Sequence, residues 1–303
     1  MKLKKIDLLA GVLVTVIWGC NFSVIGLGLK SLDPFLLTLL RFFLCAIPLA
    51  LFIKKPPNIG YRTLALYGVL FGAGLWWVVN FAMYNGLSPG MSSVFLQFSA
   101  FFTIVLSSLF LKEKINAVHG AGMLLAGAGL LMMLYLAEQS STTTGILLVL
   151  LAALSWSLCN LIVKVKKPQS MIAFIVWSSL FSVPAILIMT LFAEGLRPFR
   201  NLLDDFTWGA GFSLFFQSYI TTILGYWVWN NLMKHYPASL VAPLSLIVPV
   251  SGVLTSYLFF DERLSPAQGL AIALVLIGIA IFINSERIAR RFIKATPGTA
   301  SPL

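Results

Sequence analysis

The side chains that could hold a solute are amides and aromatics spaced by helical turns. Trp76, Asn80 and Tyr84 recur every four residues, which puts them on one face of a helix, and Gln217, Thr221, Gly225 and Trp229 repeat the pattern. Trp18, Asn21 and Phe22 adjoin one another, Trp156 precedes Asn160 by one turn, Gln97 precedes Phe101 by one turn, and Ser245 stands between Pro243 and Pro249. Aromatic walls carrying a few neutral amide dipoles suit a small amphipathic or zwitterionic substrate. Each amide has a competing use, which is to bond a neighbouring helix for about 0.6–2 kcal/mol. Trp208, Trp227 and Trp77 read instead as anchors at a membrane–water interface.

Chemistry of other kinds lacks its parts. A nucleophile needs an adjacent base, and no His or carboxylate adjoins the Ser, Thr and Cys residues of the apolar runs, so no catalytic residue is assigned and an enzyme is disfavoured. Cys20, Cys45 and Cys159 have no metal-ligand spacing, no nucleotide-binding glycine loop is present, and neither metal nor cofactor is expected. Arg41 is the one formal charge deep in an apolar run, about 10 Å along a helix counted from Pro34. Its guanidinium fork could meet a substrate carboxylate, or the side chain could snorkel outward or tie down helix-end carbonyls. Pro243 and Pro249 each remove a backbone donor, which makes their helix the candidate hinge. Its counterpart near Gln97 has no proline, so the two halves are expected to differ in stiffness. Glu113 and Glu262 sit at helix entrances, where a carboxylate favours the positive end of the helix and Asn116, Ser265 and Pro266 suit the first turn. No acid lies within an apolar run, and the two histidines are at an edge (His119) and in a loop (His235). Coupling to protons through a titrating group at membrane depth is therefore not expected.

The elements that must position these residues follow from composition. Of 303 residues, 59% are hydrophobic and 10% charged, with a mean hydropathy of +0.94. A water-soluble globule cannot hide that much apolar surface, so an all-α integral membrane protein is expected, with the lipid bilayer as solvent. Apolar runs of spanning length fall at about 8–28, 34–53, 63–86, 91–111, 117–137, 144–164, 171–193, 208–232, 238–259 and 267–285. With the N-terminus inside, sixteen of the twenty-one Lys and Arg residues lie on the cytoplasmic side and four outside. That bias fixes both termini in the cytoplasm and explains the net charge of +11 without invoking nucleic acid.

The chain also repeats itself. At an offset of 149, residues 110–115 match 259–264, Gly120 falls on Gly269 and Gly129 on Gly278. Five spans per copy force the second copy to enter from the opposite side. Residues 1–140 and 141–287 are thus expected to be inverted five-helix repeats, followed by a basic cytoplasmic tail, 288–303. Such repeats interconvert between two openings around a midplane site, which is alternating access. The face carrying Gly120, Gly127 and Gly129 could serve a second copy or an intramolecular contact, which leaves a homodimer undecided.

The Trp18–Asn21 motif, residues 40–42 and the loop glutamates resemble the EamA family, ten-helix exporters of the drug/metabolite transporter superfamily. Residues 101–104 and 242–250 are similar in particular to its exporters of O-acetylserine and cysteine. The resemblance implies a secondary exporter of small metabolites in the cytoplasmic membrane, amino acids or cysteine-pathway compounds foremost. It also implies a central cavity walled by helices 1, 3, 4, 6, 8 and 9, where Trp18, Asn21, Trp76, Asn80, Tyr84, Gln97, Phe101, Trp156, Asn160, Gln217, Thr221, Trp229 and Ser245 would converge. Export of lipophilic cations by the same fold is the alternative, made weaker by the missing intramembrane acid.

Overall fold

Prolines and short polar residues start the helices where the sequence is punctuated. The computed structural model describes residues 3–113, 117–137, 143–200, 202, 204–261, 263, 265–283 and 288. Among these, α1 runs Lys5–Gly28, α2 Pro34–Ala50, α3 Tyr61–Tyr84, α4 Pro89–Leu111, α5 Ala117–Ala137, α6 Thr143–Lys166, α7 Met171–Glu194, α8 208–235, α9 Ala238–Phe260 and α10 Pro266–Ile283. A single helical turn, Arg197–Arg200, lies between α7 and α8. Pro34 and Pro89 occupy first turns, where a missing N–H costs no bond. Asp33 accepts from the Phe35 N–H at 2.8 Å, and Ser88, Ser170 and Thr207 cap α4, α7 and α8 in the same manner. At α10, Ser265 and Gln268 exchange two bonds of 2.8 and 3.2 Å, a reciprocal capping box at the expected start. Asn116, Glu262 and, apart from residue 288, the basic stretch 288–303 lie outside the described residues.

Six helices are long and apolar enough to cross a membrane by length and composition, and Pro34–Ala50, Gly120–Met133 and Pro266–Gly278 are shorter apolar helices. The chain is an all-α integral membrane protein. Helix α8 falls outside both groups because it carries Gln217, Ser218, Thr221, Thr222 and Asn230, all buried inside the bundle. The bundle turns apolar side chains outward, among them Leu9, Leu109, Leu124 and Phe192, as a protein solvated by lipid must. Trp208 is 95% exposed and Trp227 is also exposed, as interface anchors would be. Trp77 departs from that expectation. It is buried, stacked between Phe35 at 4.8 Å and Phe81 at 5.4 Å.

Backbone geometry departs from regular α-helix in four places. Helix α3 is wound as a π-helix over Val69–Trp77, and α8 over Phe216–Gly225. Helix α4 breaks at Leu96 and Gln97, where the Gln97 N–H bonds back only three residues to Val94 at 3.1 Å. Helix α9 tightens to a 3-10 helix over Ala242–Ile247, with Pro243 and Pro249 in the first turns of successive segments. Helix α4 thus breaks without a proline, at a position that the 149-residue offset carries onto the 3-10 segment of α9. Helices α5 and α10 meet at backbone contact. A Cβ on Gly129 would lie 2.6 Å from the Ala271 carbonyl, and one on Gly278 the same distance from that of Gly122. Part of the glycine face of α5 is thus spent inside the molecule.

Candidate functional site

A small cavity of about 10 Å³, room for about one water, lies at the level of the helix breaks, lined by Trp18, Phe22, Trp76, Leu96, Gln97, Trp156, Tyr226 and Val248. It takes its walls from α1, α3, α4, α6, α8 and α9, the six helices that the family resemblance implies. Trp18 meets Trp156 edge-on at 5.4 Å, Tyr226 at 4.6 Å and Trp229 at 5.3 Å, so the rings form one cluster. All four are at most 3% exposed, so the cluster is buried inside the bundle.

Local winding sets this cluster. The Trp18 indole N–H donates to the Thr221 carbonyl at 3.0 Å, inside the π-wound segment of α8. Gly225 makes room for it, since a Cβ there would lie 2.5 Å from Trp18 Nε1. Trp229 donates to Asn160 Oδ1 at 2.9 Å while Asn160 Nδ2 donates to Thr103 at 3.1 Å, so both polar atoms of this amide have a partner. Other buried polar atoms have no partner: both amide atoms of Asn21, Asn80 Oδ1, Gln97 Oε1 and the Trp156 indole N–H. Trp76 Nε1 at the cavity wall is unpaired as well, and so, among others, are Ser107, Ser178 and Ser179, which are not in its lining; buried groups left in that state cost free energy unless something else supplies the bond.

The site residues expected from sequence divide into four groups, apart from Asn21, which is buried beside the lining residue Phe22 without itself lining the cavity. Trp18, Trp76, Gln97 and Trp156 line the cavity. Thr221 and Gln217 stand behind it, bonded to Trp18 or to Arg41, while Trp229 packs on Trp18 at 5.3 Å and bonds Asn160. Asn80 turns toward α2, donating to Thr38 at 2.8 Å, and Ser245 bonds back to Ala242 of its own helix at 2.8 Å. Two residues lie elsewhere. Tyr84 is 57% exposed at the end of α3, beside a polar cleft with Lys30, Asp33, Glu194 and Arg197, because the helix has left the bundle by its eighth residue past Trp76. Phe101 packs toward Gly122, Met123, Pro243 and Gly278, around a separate void between α4, α5, α9 and α10.

Arg41 neither snorkels nor reaches helix-end carbonyls. It is fully buried, with Nε donating to Thr222 at 2.9 Å and the terminal nitrogens to Gln217 Oε1 at 3.3 Å and Thr221 at 3.4 Å. Its guanidinium lies over the Trp76 ring at 4.0 Å. Thr222 was not anticipated, because regular i+4 spacing does not put it beside Gln217 and Thr221; π-winding does, with its hydroxyl bonded to the Gln217 carbonyl five residues back.

A charged network missed by sequence reading closes one end of the bundle. Glu113 pairs with Lys164 at 2.7 Å and accepts from the Ala238 N–H at 2.9 Å, so it caps α9 rather than α5. Lys164 also donates to the Tyr236 carbonyl, and the Tyr236 hydroxyl donates to Asp7. That bond, with some desolvation, holds the Tyr236 phenol above its ordinary pKa and keeps it protonated. The network ties α1, α4, α6 and the start of α9 together.

The model of the EamA-like transporter family matches the chain twice, over residues 5–135 and 143–284. A protein of Escherichia coli K12 described as "Probable amino-acid metabolite efflux pump" is 33% identical over 93% of this chain and 96% of its own length. A protein of Salmonella typhimurium LT2 with the same description is 32% identical over 92% and 95%. A solved crystal structure superimposes with a TM-score of 0.66 at 18% identity, covering 96% of this chain and 99% of that one, a likeness of fold alone. The chain belongs to the EamA-like transporter family, and is a multi-pass transporter of small molecules in the cytoplasmic membrane, not an enzyme.

Proposed function

We propose that the protein exports small amino-acid metabolites from the cytoplasm by alternating access, binding them in the aromatic cavity between α1, α3, α4, α6, α8 and α9. The observation that carries this reading is the convergence of the unpaired Gln97 carbonyl and Trp156 indole N–H on the small aromatic cavity, which widens to admit a solute. An amphipathic solute with one donor and one acceptor satisfies both, while Trp18, Trp76 and Tyr226 supply apolar contact. Cysteine-pathway compounds are the first to test, as small amino-acid metabolites of the kind named in the description that the Escherichia coli and Salmonella relatives carry.

In this reading all ten helices cross the bilayer as two inverted five-helix repeats, 1–140 and 141–287, with both termini cytoplasmic. The double family match and the mirrored helix breaks support it. Asp7, Glu113, Lys164 and Tyr236 then form the closed cytoplasmic end. Pro243 and Pro249, flanking the 3-10 segment of α9, and the break at Gln97 serve as paired hinges. Counterflow of radiolabelled cysteine, O-acetylserine and other amino acids in proteoliposomes tests the proposal. Saturable exchange that is reduced by Gln97→Ala is expected; no exchange of any amino acid or sulfur metabolite would overturn it.

A further inference from the structure

The guanidinium of Arg41 is fully buried, and among the described residues none of its partners is a carboxylate. Gln217, Thr221 and Thr222 are neutral and engage three of its five N–H donors, two of them through bonds of 3.3 and 3.4 Å. A buried charge without a counter-charge is among the most costly arrangements a fold can hold. Here it is held one aromatic ring from the cavity: the guanidinium lies 4.0 Å from the centre of the Trp76 ring, and Trp76 is itself part of the cavity wall. The cavity has no lining acid to offset that field, since its walls are Trp, Phe, Tyr, Leu, Val and one Gln.

We infer that Arg41 is the charge selector of this cavity, favouring solutes that carry a carboxylate and rejecting those whose only charge is positive. The inference rests on the proposed location of the binding site and deepens it. A fixed positive charge in a low-dielectric bundle attracts an anion at the far face of Trp76 and repels a cation there, with little screening by salt. An amino acid presents its carboxylate to the Trp76 side and its ammonium to the Gln97 carbonyl; the amine lacking that carboxylate keeps only the repelled group. The same charge excludes the lipophilic cations that a purely aromatic cavity would otherwise accept.

Gln217 allows a direct test, because its Oε1 already accepts from the guanidinium. Gln217→Glu places a carboxylate there with almost no change of shape and neutralises Arg41 in place. Binding to purified, folded protein in nanodiscs is read by quenching of tryptophan fluorescence, using the pairs cysteine and cysteamine, leucine and isopentylamine, phenylalanine and phenethylamine. The wild type is expected to bind the carboxylate member about tenfold tighter or more, and Gln217→Glu to bring the pair within about threefold. Arg41→Gln is expected to do the same, and Arg41→Lys, which keeps the charge, to retain the preference. Equal binding of both members by the wild type, or an undiminished preference in folded Gln217→Glu, would overturn the selector while leaving the cavity in place. Failure of every pair to bind would overturn the cavity reading, and the selector with it.

Discussion

Two buried amides of one residue type have opposite relations to their surroundings, and that difference separates binding from support. Asn160 accepts from Trp229 and donates to Thr103, whereas neither amide atom of Asn21 has a partner. Asn160→Ala strands an indole N–H and a hydroxyl, so a loss of about 1–3 kcal/mol is expected, read as a lower melting temperature in detergent. Asn21→Ala removes no bond, so stability should stay within about 1 kcal/mol or rise. Asn21 adjoins the lining residue Phe22, and we propose that its unpaired amide meets the solute once the cavity widens, so efflux by Asn21→Ala is expected to fall about tenfold in counterflow. Wild-type transport by this variant would remove Asn21 from the site. Gly225 is a sharper steric case: a Cβ 2.5 Å from Trp18 Nε1 must displace the indole that donates to Thr221. Gly225→Ala is therefore expected to lower both the melting temperature and transport, visible as a changed tryptophan emission in the folded protein.

At the scale of helices, what could be read in advance was what depends on local composition. Asp33-Pro34, Ser88-Pro89 and Ser265-Pro266 start helices for reasons carried by those residues alone, and the structure starts them there. Winding is different. The π-turns of α3 and α8 and the break of α4 at Gln97 arise from packing across the bundle, as where Trp18 occupies the space beside Gly225, and no signal within those helices announces them. The side chains that winding redirects were misjudged accordingly: Thr222 was missed, and Tyr84 was carried one turn too far along its face. The charged network at that end of the bundle was likewise invisible, because Glu113 and Lys164 are distant in sequence and become neighbours only in the fold. This pair is mostly buried, with side chains 19% and 9% exposed, unlike Arg263 and Asp261 at 79% and 75%. Glu113→Ala removes the ion pair and the cap on α9 together and is expected to cost about 2 kcal/mol, whereas Asp261→Ala should cost well under 1 kcal/mol. Paired melting curves of the two variants make the comparison, and equal shifts would mean that the network does not hold the helices.

For the molecule as a whole, the repeat was visible because both copies keep the same loop chemistry at a fixed offset. Its consequence in three dimensions is specific. Lys112 ends α4 and Asp261 ends α9 in the same left-handed conformation, with φ of 55° and 52°, so corresponding residues perform the same backbone turn. If five helices precede each corresponding position, those two turns must face opposite sides of the bilayer, and alternating access depends on it. Lys and Arg bias assigns the first to the cytoplasm and the second to the outside. Cysteines introduced at Lys112 and Asp261 test this in intact cells with a membrane-impermeant maleimide. The background is low, since Cys45 and Cys159 are buried and Cys20 is half-buried among apolar helices. Asp261→Cys is expected to label in intact cells and Lys112→Cys only after the membrane is opened. Labelling of both from one side would make the repeats parallel, and a cavity between parallel bundles has no mirrored pair of openings to exchange.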